Sequence, residues 1–155
     1  MALVHEKLYR TENFSQINFS NYVIELVKEI SKTYSQQTTI DLNFDVKPNI
    51  FLDLDTSISV GLIINELIVN AFKHAFSEKS IEPKIEVLID DIQEQIFVKI
   101  IDNGNGVKDD FNMNNTNSLG LTIITSLIEQ IEGDIDFKSD NGTQISFSFK
   151  KQTLS

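Results

Sequence analysis

The chain contains no cysteine, which excludes disulfides and thiolate-held metal sites. It is also short of positive charge: 13 Lys and Arg stand against 23 Asp and Glu, a formal net charge of -10 at pH 7. That balance argues against nucleic acid as a partner. It also means that a phosphate-bearing ligand needs donors, or a metal, supplied locally. No apolar run approaches the length of a membrane span. The N-terminal stretch lacks the shape of a signal peptide, and there is neither an internal repeat nor a low-complexity tract. The polypeptide is therefore expected to be soluble and without direct membrane contact. What remains suffices for one domain: 155 residues, with 11 Phe among many Ile, Leu and Val, can bury a sizeable core.

Periodicity divides the chain into helices and strands. Ala2 to Arg10 reads as a short amphipathic helix and Thr11 to Asn18 as a connector. Ser20 can cap a helix to about Tyr34, with Val23, Leu26, Val27, Ile30 and Tyr34 on one face. Ile40, Leu42, Phe44 and Val46 alternate as one side of a strand, and Phe51 to Leu54 forms a second, short one. Asp55 or Thr56 caps a long helix through Ile58 to Phe76 that is apolar almost all round. Lys84 to Asp90 and Gln95 to Asp102 are alternating strands with a turn at Asp90-Asp91. Gly104 to Asn117 loses periodicity and reads as a mobile loop, unusually long for a compact domain. Ser118 can cap a last helix that Gly133 ends, and a hairpin around Asp140-Asn141-Gly142 closes the chain. Strands arrive in adjacent pairs, so the fold class is α+β: a mixed sheet with helices packed on one face.

Four polar constellations interrupt this pattern. On the long helix, Glu66, Asn70, Lys73 and His74 fall at i, i+4, i+7 and i+8 and share a face. A solvated stripe is the common meaning of such spacing. Here the flanking residues are apolar, and a carboxylate with an Asn amide oxygen makes a hard-ligand set suited to Mg²⁺ shared with phosphate oxygens. Asp102-Asn103-Gly104-Asn105-Gly106 could be a simple turn after a strand. Yet Ile96, Val98 and Ile100 point inward and Asp102 continues their register. A buried carboxylate requires donors; the amine of a base is one, and the glycines let a flat ligand lie close. Ser118-Leu119-Gly120-Leu121 sits where a helix begins, and free N–H groups there can bind phosphate. Gly142-Thr143 reads alone as a turn.

In this order and spacing the four motifs resemble the ATP-binding domain of sensor histidine kinases. Asn65 to His74 looks like the N box, Asp102 to Gly106 like the D-x-G-x-G box, Ser118 to Leu121 like the second glycine box, and Gly142-Thr143 like the terminal Gly-Thr. The resemblance covers about Asn18 to Lys150 and implies a two-layer sandwich of the Bergerat type. In that fold a mainly antiparallel mixed sheet is covered on one face by three helices, with a flexible ATP lid. It implies ATP and Mg²⁺ as cofactors. Asp102 would take the adenine amino group, helped by water near Thr143, and Gly104 and Gly106 would shape the adenine floor and lid hinge. Asn70 would ligate Mg²⁺, Lys73 and His74 would lie at the phosphates, and Ser118, Leu119, Gly120 and Leu121 would close over them. Glu66 would support the metal site or polarise the attacking group. Two departures from the family pattern bear on the lid: Ser118 replaces a glycine, and Phe111 stands alone where a Phe-rich box is usual.

Leu3 to Tyr9 looks like the end of a dimerisation helix. The expected division is therefore 1–14 as a remnant of that helix and its linker, and 15–155 as the catalytic domain. The implied partners are a histidine-bearing dimerisation domain of the same protein and a downstream response regulator, in the cytoplasm. His5 is read as a helix-surface residue and not as the phosphate acceptor. The wider superfamily keeps other functions open: a serine-kinase anti-sigma factor, an ATPase in which Glu66 is the base that activates water, and a non-catalytic nucleotide sensor.

Overall fold

The computed structural model describes residues 16–34, 40–75, 82–104, 119–139 and 142–151, with the backbone alone at 74, 75 and 119. In chain order these form β1 (Ile17–Asn18), α1 (Phe19–Tyr34), β2 (Asp41–Val46), β3 (Phe51–Leu52), α2 (Leu54–Asn70) running into a π turn (Ala71–Ala75), β4 (Lys84–Ile92), β5 (Gln95–Asp102), α3 (Leu119–Gln130), β6 (Asp134–Ser139) and β7 (Thr143–Lys150). Five strands make one sheet in the order β2-β4-β5-β7-β6. β2 runs parallel to β4 and every other pair is antiparallel. β1 and β3 form a separate two-residue antiparallel pair. The α+β expectation, with a mixed and mainly antiparallel sheet, holds.

Alternation explains which face is covered. Ile85, Val87 and Ile89 on β4, Ile96, Val98 and Ile100 on β5, and Phe147 and Phe149 on β7 are all buried. Their neighbours Glu86, Asp90 and Phe97 are exposed on the opposite face. The helices meet the buried face with Val23, Leu26 and Val27 from α1, Ile63, Ile64 and Ile68 from α2, and Ile124 and Ile128 from α3, all in one core. Burying each such side chain contributes about 1.5–3 kcal/mol. α2 lies against both α1 and α3, which is why it can be apolar on most of its circumference. Its Gly61 is where the α1 ring of Tyr22 rests, so a methyl group there would overlap that ring.

The length expectation for membrane spans is corrected here. Leu54–Lys73 is long and apolar enough to cross a membrane by length and composition, although more than half of it is buried inside the domain. Its sequence looks less apolar than a span because Asp55, Glu66 and Lys73 punctuate it.

Several helix and turn assignments also shift. Asn18, not Ser20, caps α1, its side chain accepting from the Asn21 N–H at 3.2 Å. Ser20 Oγ instead donates to the Lys47 carbonyl at 2.6 Å and accepts from the Ile50 N–H at 3.1 Å, pinning α1 to the β2–β3 connection. Tyr34 is 42 % exposed and not part of the core; it stacks on Phe72 with ring centroids 5.9 Å apart. Asp53 caps α2 by accepting from the Thr56 N–H at 3.2 Å. The β4–β5 turn falls at Gln93 and Glu94, whose φ values are 53° and 67°, and not at Asp90-Asp91. At the end of α3 the left-handed residue is Glu132, with φ 55°, while the Gly133 N–H donates to the Ile128 carbonyl at 2.9 Å. Gly133 is required for another reason: a Cβ there would stand 2.7 Å from the Ser148 carbonyl oxygen of β7. The helix read at Ala2 to Arg10, His5, most of the mobile loop with Phe111, the Ser118 cap and Asp140-Asn141 lie outside the described residues.

Candidate functional site

Chain topology brings the polar motifs to one end of the sheet. β5 finishes at Asp102, β7 begins beside it at Thr143, and β4 begins at Lys84, one pairing step beyond Ile85, which lies opposite Asp102. α2 and its π turn end at Ala75, with eight residues between it and that β4 start, and α3 begins after the segment that leaves Gly104. Gly120 at the start of α3 lies against Glu66 and Asn70 near the end of α2, and Gly133 just after α3 lies against Ser148 toward the far end of β7, so the exit of α2 and the entry of α3 fall on the side of the sheet where β7 begins.

The base end is built around Asp102. Its register on β5 points the side chain inward, and it is 7 % exposed. Oδ1 accepts two backbone N–H groups, from Gly104 at 2.9 Å and from Thr143 at 3.2 Å. Among the described residues no donor reaches Oδ2, so one carboxylate oxygen can still accept a further donor. Burial pushes the Asp102 carboxyl above the usual carboxylate range, and the two N–H groups partly oppose that shift. Gly142, at φ +135°, delivers the Thr143 N–H; a side chain there would overlap the Asp102 carbonyl. The Thr143 contact is thus made by its backbone.

The other end is assembled from α2 and α3. Glu66 and Asn70 are half-buried, and Lys73 is exposed. The stripe is therefore less buried than its apolar surroundings suggested, because the α3 start covers only part of it. That start is Gly120: a Cβ at this position would stand 3.0 Å from Glu66 Oε2 and 3.7 Å from Asn70 Nδ2. Glycine lets the first turn of α3 approach the carboxylate and the carboxamide. Leu121 is buried beneath that turn.

The π turn alters the stripe. From Ala71 to Ala75 the backbone winds more widely than an α-helix, so each residue advances through a smaller angle. Lys73 is swung away from the regular i+7 direction that the spacing implied. Such turns recur at functional sites, but nothing in the residue pattern announced this one.

Of the residues expected at the site, Glu66, Asn70 and Gly120 meet at one place, and Asp102, Gly104 and Thr143 at another. Lys73 lies at the same end without a described contact to either set. Gly106 and Ser118, and the side chains of His74 and Leu119, lie outside the described residues. Sequence reasoning missed Asn103. Its Oδ1 accepts from the Lys84 N–H at 2.7 Å and its Nδ2 donates to the Glu82 carbonyl at 2.8 Å.

Among the described residues no group of three or more His, Asp or Glu side chains could hold a metal by itself. Asn70 beside Glu66 fits a hard cation only if a ligand supplies further oxygens, the way Mg²⁺ is usually shared with phosphates. A concavity of about 730 Å³ lies on the uncovered sheet face, lined by Asp45, Leu88, Asp90, Phe97, Lys99 and Asp136 among others. None of the described site residues borders it.

The fold these residues build is that of histidine kinase catalytic domains. It superimposes with a TM-score of 0.84 on the histidine kinase domain of a blue-light activated kinase from Erythrobacter litoralis, at 19% identity, covering 96% of this chain and 70% of that one. It also matches the histidine kinase AdeS of Acinetobacter baumannii, with a TM-score of 0.71 at 15% identity, covering 98% and 75% of the two chains. Residues 55–153 match the family described as histidine kinase-, DNA gyrase B- and HSP90-like ATPase, and the chain belongs to that family. Residues 1–34 match a second family, described as histidine kinase. Among curated relatives, the sensor histidine kinase PdtaS of Mycobacterium tuberculosis is 25% identical over 148 residues, which is 94% of this chain and 29% of the relative. The chain thus spans less than a third of that relative's length.

Proposed function

We propose that this chain is the ATP-binding catalytic domain of a two-component sensor histidine kinase. It binds Mg-ATP and passes the γ-phosphate to a histidine on a dimerisation domain, from which a response regulator receives it. The observation that carries this is the pairing of a buried, backbone-held Asp102 at the strand end with Glu66 and Asn70 against the glycine start of α3.

Bound ATP supplies the transferable phosphoryl group, and the chain supplies position and charge. The free Asp102 oxygen accepts the adenine amine. Gly104 and Gly142 keep the base edge narrow, with Gly106 completing the floor. Asn70 would hold Mg²⁺ against the phosphate oxygens. Lys73 and His74 neutralise phosphate charge, and Ser118 to Leu121 present helix N–H groups to it. Glu66 orients or deprotonates the attacking imidazole. The working place of such a domain is the cytoplasm, with residues 1–14 leading in from the dimerisation helix.

The match of residues 1–34 to a histidine kinase family favours this reading over a serine-kinase anti-sigma factor. The test combines the chain, Mg²⁺, labelled ATP and an isolated dimerisation domain. Acid-labile phosphohistidine on that domain is the expected product. Acid-stable phosphoserine on a partner would favour the anti-sigma reading. Steady hydrolysis by the chain alone, abolished in Glu66→Gln, would favour the ATPase.

A further inference from the structure

The geometry points to Asn103 as a positioning residue that sets Asp102 for the nucleotide base; the idea rests on the nucleotide reading above. In an unbroken β4–β5 ladder, Lys84 and Asn103 are the next pair after Ile85 and Asp102. The Asn103 N–H keeps that pairing, donating to the Lys84 carbonyl at 3.3 Å. The return bond is different. The Lys84 N–H is taken by the Asn103 side-chain oxygen at 2.7 Å, in the place where a ladder uses a main-chain carbonyl.

That substitution releases the Asn103 carbonyl from the sheet, so the chain can turn away immediately after it. Only because it turns does the Gly104 N–H come back onto Asp102 Oδ1, at 2.9 Å. The Asn103 amide nitrogen, bonded to the Glu82 carbonyl at 2.8 Å, fixes the side chain in this role and ties the incoming segment to the same point. Short polar side chains that replace backbone partners in this way are what make Asx turns. Asn103 therefore acts through its neighbours: it ends the ladder so that the Asp102 carboxylate is held by Oδ1 with Oδ2 left for the ligand.

The test compares wild type with Asn103→Ala and Asn103→Asp by two readouts. The first, without ligand, is amide hydrogen exchange. In Asn103→Ala, Gly104 and Thr143 exchange at least about 10-fold faster, while remote core amides such as Val98 keep wild-type rates. The second is affinity by NMR titration. Asn103→Ala weakens adenosine and Mg-ADP by the same factor, about 10-fold, a loss matching one hydrogen-bonded contact. Asn103→Asp keeps an acceptor for the Lys84 N–H but loses the donor to the Glu82 carbonyl, so it falls between wild type and Asn103→Ala, about 3-fold weaker than wild type. A merely structural role would speed exchange throughout the core and would not separate the two variants. Unchanged Gly104 exchange in Asn103→Ala, or an Asp variant as weak as the Ala variant, overturns the inference. If wild type binds neither adenosine nor Mg-ADP while the exchange result is as expected, the positioning of Asp102 stands and the nucleotide reading is what fails.

Discussion

At the strand end of the site, Asp102 is almost wholly buried and its Oδ1 is held by two backbone N–H groups. At the helix end, Glu66 and Asn70 are half-buried, Lys73 is exposed, and what brings them together is the missing side chain of Gly120. The first end is shaped by main chain and resists change before any ligand arrives. The second is made of side-chain tips that can shift by rotation. A flat base needs one fixed acceptor, whereas phosphates and a cation bring their own charge and tolerate adjustment. Preorganisation is thus concentrated where the ligand contributes least.

The largest test of this contrast is Gly142→Ala. At φ +135° a non-glycine residue is strained, and the added Cβ would meet the Asp102 main chain. Together these cost about 2–4 kcal/mol, which lowers Tm by roughly 5–15 °C in a domain of this size. Thermal unfolding with and without ADP checks it. A Tm equal to wild type would mean that the base end is as adjustable as the helix end.

Asp102→Ala is the next step down and acts on binding more than on folding. It removes a charge-assisted bond of about 1.5–3 kcal/mol, or roughly 10- to 100-fold in affinity for ADP. The same carboxylate gives the base end a pH signature. Because burial raises its pKa, the folded state takes up the proton more readily than the unfolded chain. Asp102 therefore adds stability at low pH, and that increment is lost as pH rises through its folded pKa. Nucleotide affinity runs the other way, weakening as pH falls through that value, since only the ionised group is a charged acceptor. Paired ADP titrations and melts just above the usual carboxylate range should show the two trends crossing in wild type. Neither trend should survive in Asp102→Asn.

The same contrast explains what could be read from the sequence. Period-two runs such as Ile96, Val98 and Ile100 reveal a strand and its buried face, and their register alone places Asp102 inward. The N-box spacing of Glu66 and Asn70 is likewise visible, since an α-helix repeats its faces. The π turn after Asn70 is not, because apolar residues at 71 and 72 suit either winding. Asn103 escaped because its role depends on Lys84 lying opposite, a pairing across the β4–β5 hairpin that only the register reveals. The capping shifts have a similar origin: Asn18, Ser20, Asp53 and Asp55 are all chemically able to cap, and long-range bonds such as Ser20 to Lys47 decide among them.

The smallest expected effect on stability belongs to the helix end, where Gly120→Ala sharpens the comparison because its consequences divide. Glycine within a helix costs up to about 1 kcal/mol relative to alanine, so the substitution gains stability provided the neighbours yield. The nearest one is Glu66 Oε2, 3.0 Å from the new Cβ. It is the far end of a flexible side chain and can rotate aside at little cost. Melting should therefore show no loss, and a rise of a few degrees at most. Phosphotransfer should fall even so, because the displaced carboxylate is the group assigned to the attacking imidazole, while adenosine affinity at the Asp102 end stays unchanged. In a Glu66→Ala background there is no carboxylate left to displace, and Gly120→Ala should then add almost nothing to the loss of transfer. A further large loss in the double variant would show that Gly120 serves the phosphates directly through the α3 backbone, and that the helix end is more rigidly built than its exposed side chains suggest.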